Sequence, residues 1–377
     1  MRIDRFGVEI WMNQHEDDAT WNLGETCIDS LTVAELLALS GDPEAELRRL
    51  RDLRLTYGAI PGSGKLRGLI ASLYETVSAD RVLVTQGAIG ANFLAEYTLV
   101  EPGDLVVCVA PTYQQLYAVP ASFGAEVELL RLRPEDGFLP DVARLRKLAG
   151  GCAKLIVLNN PNNPTGALIP EAMLREIVAV ARDCDAYLLC DEVYRGLEHD
   201  RGVRTPSVAD LYEKGISSGS MSKVFSLAGL RLGWVAGPRD AIAACEDHRH
   251  YVTISCGMLD EALAAVALEH RGALLERNLG ILLGNKRTLD DWVRSEVRID
   301  YVPPQAGTTA FLHYEHDLPS KLFAQELFDL NGTFLVPGSE FGWEGWLRVG
   351  FACAPEVLRG GLEGLSRYLR ELEARGV

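Results

Sequence analysis

Five short stretches of the chain hold residues whose types and spacing could do chemistry together. SGSMSKVFSLAGLRLGW, Ser218–Trp234, carries one lysine, Lys223, among small and apolar residues, and one arginine, Arg231, eight positions later. A surface lysine ordinarily keeps other charges near it; an isolated one suits a nucleophile or a base. YLLCDEVY carries Asp191 out of an apolar run, where a carboxylate has little water and needs a cation or a hydrogen-bond donor. KLIVL is followed by NNPNNPTG, residues 159–166, which contains Asn163. RVLVT is followed by Gln86-Gly87-Ala88, a small-residue helix start that suits a phosphate. LVVCVA is followed by Pro111-Thr112-Tyr113, an aromatic ring available for stacking. PGSGKLRG is a decoy: Ala59 and Leu66 stand where a P-loop needs glycine and Ser/Thr, and Arg67 stands where the dinucleotide fingerprint needs its third glycine.

These loops need a frame that brings them together. The periodicity predicts strands over 81–85, 104–110, 125–132, 154–158, 186–190, 215–220 and 232–236, with helices over 66–77, 87–99, 141–148 and 171–182. Apolar strands alternating with amphipathic helices mean an α/β fold with a mostly parallel sheet flanked by helices. Ligands bind such sheets at the carboxyl ends of the strands, where all five stretches fall. Beyond about residue 290 the pattern changes to strands over 297–301, 308–314, 333–336 and 347–351, with helices over 320–330 and 355–373. This reads as a smaller α+β domain. The expected division is an N-terminal arm over 1–45, irregular and packing with the small domain, a large domain over 46–288 and a small one over 289–377.

Composition narrows the class. The 377 residues are 47% hydrophobic and 24% charged, ordinary for a soluble globular enzyme with a large core. A net charge of −16 disfavours nucleic acid and anionic membrane as partners and fits a cytoplasmic protein. The eight cysteines form no CxxC pair and several lie in apolar runs, so they read as reduced thiols, not as a disulfide frame or a zinc site. The N-terminal residues lack the apolar region of a signal peptide, and no apolar run approaches the roughly 18 residues of a membrane span.

A lysine, a buried carboxylate, a phenol, a stacking ring, serines and helix-start amides together suit one ligand, pyridoxal 5′-phosphate. Its aldehyde takes a lysine and its ring nitrogen pairs with an aspartate. On NPNNPTG, DEVY, SMSK, the arginine eight residues past the lysine and the late RVG, the chain resembles the class I/II aminotransferases, the fold-type I pyridoxal-phosphate enzymes, from about Tyr57 to Arg348. The resemblance implies that fold and a set of roles. Lys223 is the Schiff-base lysine, Asp191 pairs with the ring nitrogen, and Tyr194 and Asn163 flank the 3′-oxygen. Tyr113 stacks on the ring, and Gly87, Ala88, Ser220, Ser222 and Arg231 surround the phosphate. Ile89 stands at a phosphate-site position where relatives often carry a hydroxyl residue. Tyr57 resembles the tyrosine that reaches the neighbouring subunit's phosphate, which implies a homodimer with shared sites. Arg348 is similar to the arginine that grips the substrate α-carboxylate with two parallel hydrogen bonds.

The family implies the cofactor more firmly than the reaction. An amino-acid aminotransferase is the first reading. RHYVTIS, LDEALAAVALEH, NKRTLDDWV and PPQAGTTAF are more loosely similar to arginine cyclases of the capreomycidine synthase type, which act on a hydroxylated arginine. Glu9, Glu16, Asp17, Asp18 and Glu25 surround Trp11 and Trp21 in the arm, and carboxylates there could receive a guanidinium, Glu9 above all. A solvated acidic arm is the alternative. A non-enzymatic regulator joining an aminotransferase-like domain to a helix-turn-helix is disfavoured by the acidic charge.

Overall fold

A computed structural model describes residues 2–376. Thirteen strands form three sheets among these residues. Eight precede residue 240: β1 Trp21–Asn22, β2 Val82–Thr85, β3 Leu105–Ala110, β4 Glu126–Arg131, β5 Leu155–Asn159, β6 Tyr187–Asp191, β7 Gly215–Ser220 and β8 Gly233–Ala236. Five follow: β9 Ile299–Tyr301, β10 Thr309–Tyr314, β11 Thr333–Phe334, β12 Val336–Pro337 and β13 Trp346–Gly350.

The large sheet has the order β2-β8-β7-β6-β5-β3-β4. All its pairings are parallel except those that β8 makes with β2 and β7. The central strand β5 is buried along its whole length and β6 at all but its first residue, as expected of a parallel sheet covered on both faces by helices. Register sets the site. Asn159 lies opposite Asp191, and Asp191 opposite Ser218. Gly233 lies opposite both Thr85 and Ser220. The carboxyl ends of β2, β5, β6 and β7 therefore share one edge with the start of β8, so the residues just beyond them converge.

The second sheet, β12-β13-β10-β9, is antiparallel and carries Arg348 in the middle of β13, between Phe311 and Val336. The third is the pair β1 and β11, parallel. A 25-residue helix, Arg271–Ser295, runs unbroken across position 288/289, where the sequence suggests a domain boundary.

The expected strands and helices occur, mostly with ends displaced by one or two residues. Three differences have physical causes. Residues 1–45 are not irregular. Gly7–His15 is helical and turns Val8, Trp11 and Met12 into the core. Val33–Ala38 is a helix held by a reciprocal Thr32–Glu35 capping box, and another follows from Pro43. The helix expected over 66–77 spans Gly64–Ala71, and the amides of Glu75 and Thr76 donate instead to the Asp210 carboxylate. The strand expected over 333–336 splits at Leu335, since Thr333–Phe334 pairs with β1 and Val336–Pro337 with β13. No helix among the described residues is long and apolar enough to cross a membrane.

Candidate active site

Asp191 is the last residue of β6 and is buried. Its Oδ2 accepts from Asn92 Nδ2 at 2.9 Å and its Oδ1 from the Val193 amide at 3.2 Å. Among the described residues no cation lies within ion-pair distance. Burial pushes its carboxyl above the ordinary aspartate range; Asn92, the Val193 amide and the more distant Lys223 offset this only in part. A buried carboxylate with two neutral donors is a site for a further cationic or N–H group.

Lys223 lies three residues past the end of β7. Its Nζ donates to Thr26 Oγ1 at 2.7 Å and to Cys27 Sγ at 3.2 Å, with Glu25 Oε1 at 3.7 Å. The isolated lysine expected from sequence is thus not isolated: the arm folds back and brings a carboxylate to it. Burial by itself would lower the Lys223 pKa, but Cys27, Tyr194 and Glu25 outweigh it and the net direction is upward. Of these, Glu25 is the anion near neutral pH. Burial pushes the Cys27 thiol up, whereas the Glu25 carboxyl, despite the partial desolvation that raises it, is brought to about 2 by Lys223 and the amides of Cys27 and Thr26.

The helix Gly87–Leu99 starts at the same edge with no side-chain cap, which leaves its first amides free. Gly87 has φ +70°, and a Cβ there would lie 3.1 Å from the Arg231 guanidinium. A Cβ at Gly233 would fall 2.4 Å from the Gly87 carbonyl carbon, so β8 and the helix start meet backbone to backbone only because Gly233 has no side chain. Gly87, Ala88 and Arg231 thereby form a positive, amide-lined corner, and the Ser222 amide donates to Ser220 Oγ at 3.2 Å on the strand beside it. Ile89 is 41% exposed, and only its carbonyl is engaged, by Gln115.

Arg348 comes from the other sheet and is 3% exposed. One terminal nitrogen donates to the Gly24 carbonyl at 2.7 Å and the other to Asn163 Oδ1 at 3.4 Å; Nε has no partner. Among the described residues no carboxylate is within ion-pair distance, and burial pushes its pKa down. This is a buried cation with donors to spare. Asn163 is thus brought to Arg348, and Tyr194 is buried against Gly307.

Above this sits the Gly7–His15 helix. Tyr113 Oη donates to Glu9 Oε1 at 2.7 Å, Gln114 accepts from the Gly7 amide and donates to the Arg5 carbonyl, and Met12 Sδ lies 4.0 Å from Arg348. Burial, with Glu9 beside it, pushes the Tyr113 phenol well up. Tyr57 alone of the expected residues stands apart, 79% exposed.

Sequence reasoning missed Thr26 and Cys27 beside the lysine and Asn92 beside Asp191. The first two carry no local signal, because only the fold-back of the arm makes them neighbours. Asn92 and Glu96 had one: two polar residues four apart in the otherwise apolar run GAIGANFLAEYTL, on one face of one helix.

A family model described as aminotransferase class I and II matches residues 34–365. The chain is 33% identical to capreomycidine synthase of Streptomyces vinaceus over 96% of its own length and 93% of that protein. It superposes on a crystal structure of a PLP-dependent aminotransferase from Streptococcus suis with TM-score 0.96 at 43% identity, covering 99% of both chains. The PLP-dependent cyclase OrfR matches with TM-score 0.89 at 28% identity over 98% of both chains.

Proposed function

The chain belongs to the class I and II aminotransferases, a fold-type I family that works with pyridoxal 5′-phosphate, and on that premise we propose that it acts at the α-carbon of an L-amino acid as an aminotransferase. The residues fit the cofactor. Asp191 lacks a cationic partner, which a protonated ring nitrogen supplies. Gly87, Ala88, Ser220, Ser222 and Arg231 form the corner for its phosphate, and Tyr113 offers a ring face. Ile89 lines that corner without the hydroxyl that would add one more donor. Asn163 and Tyr194 serve the 3′-oxygen. When bound, the cofactor supplies an electron-withdrawing ring that stabilises charge left at the α-carbon.

The chain's own groups do the rest. Lys223 holds the cofactor and moves the α-proton. Thr26 and Glu25 keep its amine directed while it does so. Arg348 receives the α-carboxylate, and this is the observation that carries the reading: a buried guanidinium with an unpartnered Nε and no anion beside it among the described residues is suited to a carboxylate that a ligand supplies. The arm brings Met12 and the Gly24 carbonyl against Arg348, which closes the carboxylate end from water.

The active form is read as a cytoplasmic homodimer. Leu55, Tyr57, Tyr251 and Val252 are large apolar side chains left more than half exposed on two segments that the Arg249–Ile60 hydrogen bond ties together, and this exposure supports a self-association face through which Tyr57 reaches the partner's phosphate corner. The chain is read as a large domain over 46–288 and a small one over 289–377, with the arm 1–45 on the small one; β1 pairing with β11, and Trp11 donating to the Leu335 carbonyl, support this.

A second reading, cyclisation of a hydroxylated arginine, is favoured by the arm. Glu9 is held by Tyr113 near the mouth of the site. Burial, then Glu25, Asp17 and Glu9, push the Glu16 carboxyl up, so these carboxylates are close enough to repel one another and would welcome a guanidinium. Mass analysis of products from arginine, hydroxyarginines and common amino acids, with and without a keto acid, separates the two. Keto-acid-dependent exchange with ordinary amino acids, indifferent to Glu9→Gln, marks the aminotransferase. Product without any keto acid marks the cyclase, with Glu9→Gln lowering turnover of the guanidino substrate alone by more than about tenfold.

A further inference from the structure

The helix that offers its start to the phosphate corner also holds two orphaned polar groups. Glu96 is 0% exposed, and neither of its carboxyl oxygens has a hydrogen-bond donor. Asn92, one turn earlier on the same face, is 1% exposed; its Nδ2 donates to Asp191, but its Oδ1 has no donor. A carboxylate buried with neither donor nor cation is too costly to keep ionised, so the group folds as the neutral acid. Burial, with the Asp191 charge behind it, pushes the Glu96 carboxyl well above its ordinary range. A protonated carboxyl has one O–H to give, and an amide oxygen accepts. Four residues apart on one helix face, the two orphans are complementary, a donor on a neutral Glu96 and an open acceptor on Asn92.

We propose that Glu96 is a neutral acid that donates its O–H to Asn92 Oδ1, fixing the amide so that Nδ2 faces Asp191, and that Glu96 is thereby a positioning residue for the aspartate. Without that donor nothing distinguishes the two ends of the Asn92 amide except Asp191 itself. A flipped amide would present oxygen to the carboxylate, remove one of its two donors and loosen its grip on whatever cation it holds. The functional half of the proposal rests on Asp191 pairing with the ring nitrogen; the Glu96–Asn92 hydrogen bond does not.

Two variants and two readouts test it. Glu96→Gln keeps shape and an N–H donor; Glu96→Met keeps volume without one. Infrared difference spectra of the cofactor-free protein at neutral pH should show a protonated carboxylic acid band that Glu96→Gln removes. An ionised-carboxylate band lost in its place overturns the proposal. In the holoenzyme carrying ¹⁵N-labelled pyridoxal phosphate, the ring-nitrogen signal should shift towards the unprotonated form in Glu96→Met and stay at wild type in Glu96→Gln. kcat should fall about tenfold in Glu96→Met with KM little changed, the order expected when a buried amide loses its donor. Equal behaviour of the two variants also overturns it. Asp191→Asn is the control: if it leaves the nitrogen signal unmoved, the reading of Asp191 fails, while the infrared result still decides the Glu96–Asn92 pair.

Discussion

Replacing Arg348 by methionine should separate function from stability in opposite directions. The guanidinium is buried, with Gly24 carbonyl and Asn163 Oδ1 as its protein oxygen partners and Nε free. A two-pronged grip on a carboxylate adds two charge-assisted hydrogen bonds at about 1.5–3 kcal/mol each. Their loss, roughly 3–6 kcal/mol, lowers kcat/KM by about 10²–10⁴-fold at 1.4 kcal/mol per decade. Arg348→Lys, which keeps the charge but offers no fork, should lose about half of that free energy. The stability effect is expected to be small or favourable, because an uncompensated buried cation is removed and a flexible apolar side chain takes its place. Steady-state kinetics on an amino acid and on the amine lacking its carboxylate, with thermal unfolding of each variant, form the assay. The amine should be insensitive to the substitution. If Arg348→Met kept kcat/KM within threefold, or unfolded far below wild type, the buried guanidinium would be a structural strut and the carboxylate assignment would be wrong.

Four further outcomes are expected. Borohydride treatment of the yellow holoenzyme should fix the cofactor's mass on the tryptic peptide containing Lys223, and Lys223→Ala should lose turnover; label on another lysine would displace the central assignment. Asp191→Asn should slow α-proton removal in single turnovers far more than it weakens cofactor binding, and near-normal rates would take Asp191 out of the role. Sedimentation at assay concentration should show at least a dimer, with Tyr57→Ala weakening cofactor retention; a fully active monomer would defeat the shared site. Glu25 has its carboxyl held at about 2 against an ordinary 4.5, so its contribution to stability is complete above 4.5 and is lost as pH falls towards 2. Glu25→Gln should therefore flatten the melting temperature against pH in that window, by a modest amount because the side chain is 46% exposed and screened.

Much of the site was legible in the sequence because its parts are local. Each chemistry-bearing residue sits where an apolar run ends, and a parallel sheet puts such ends on one edge whatever its exact order. Hence Asp191, Lys223, Gly87 and Tyr113, with the NNPNNPTG loop, could be singled out as candidates from strand ends alone, while the family resemblance picked Asn163 within that loop. The mostly parallel sheet followed from the alternation of apolar strands with amphipathic helices, and a smaller α+β unit from the change in pattern near residue 290; that its sheet is antiparallel came from the structure. Only the tertiary structure decided which groups meet across long separations. Thr26 and Cys27 reach Lys223 across nearly 200 residues, and Gly24 reaches Arg348 across 324. Those contacts depend on how residues 2–27 fold back, and the short Gly7–His15 helix, which has no side-chain cap, owes its existence to packing more than to periodicity. The charge state of the site was likewise hidden. Lys223 looked isolated along the chain, yet burial and a carboxylate from the arm set its electrostatics. Asn92 and Glu96 are polar residues in a mostly apolar helix, and only their burial beside Asp191 gives them something to do. Composition and periodicity report what each segment buries; the energy of a buried charge depends on which partner the fold brings to it.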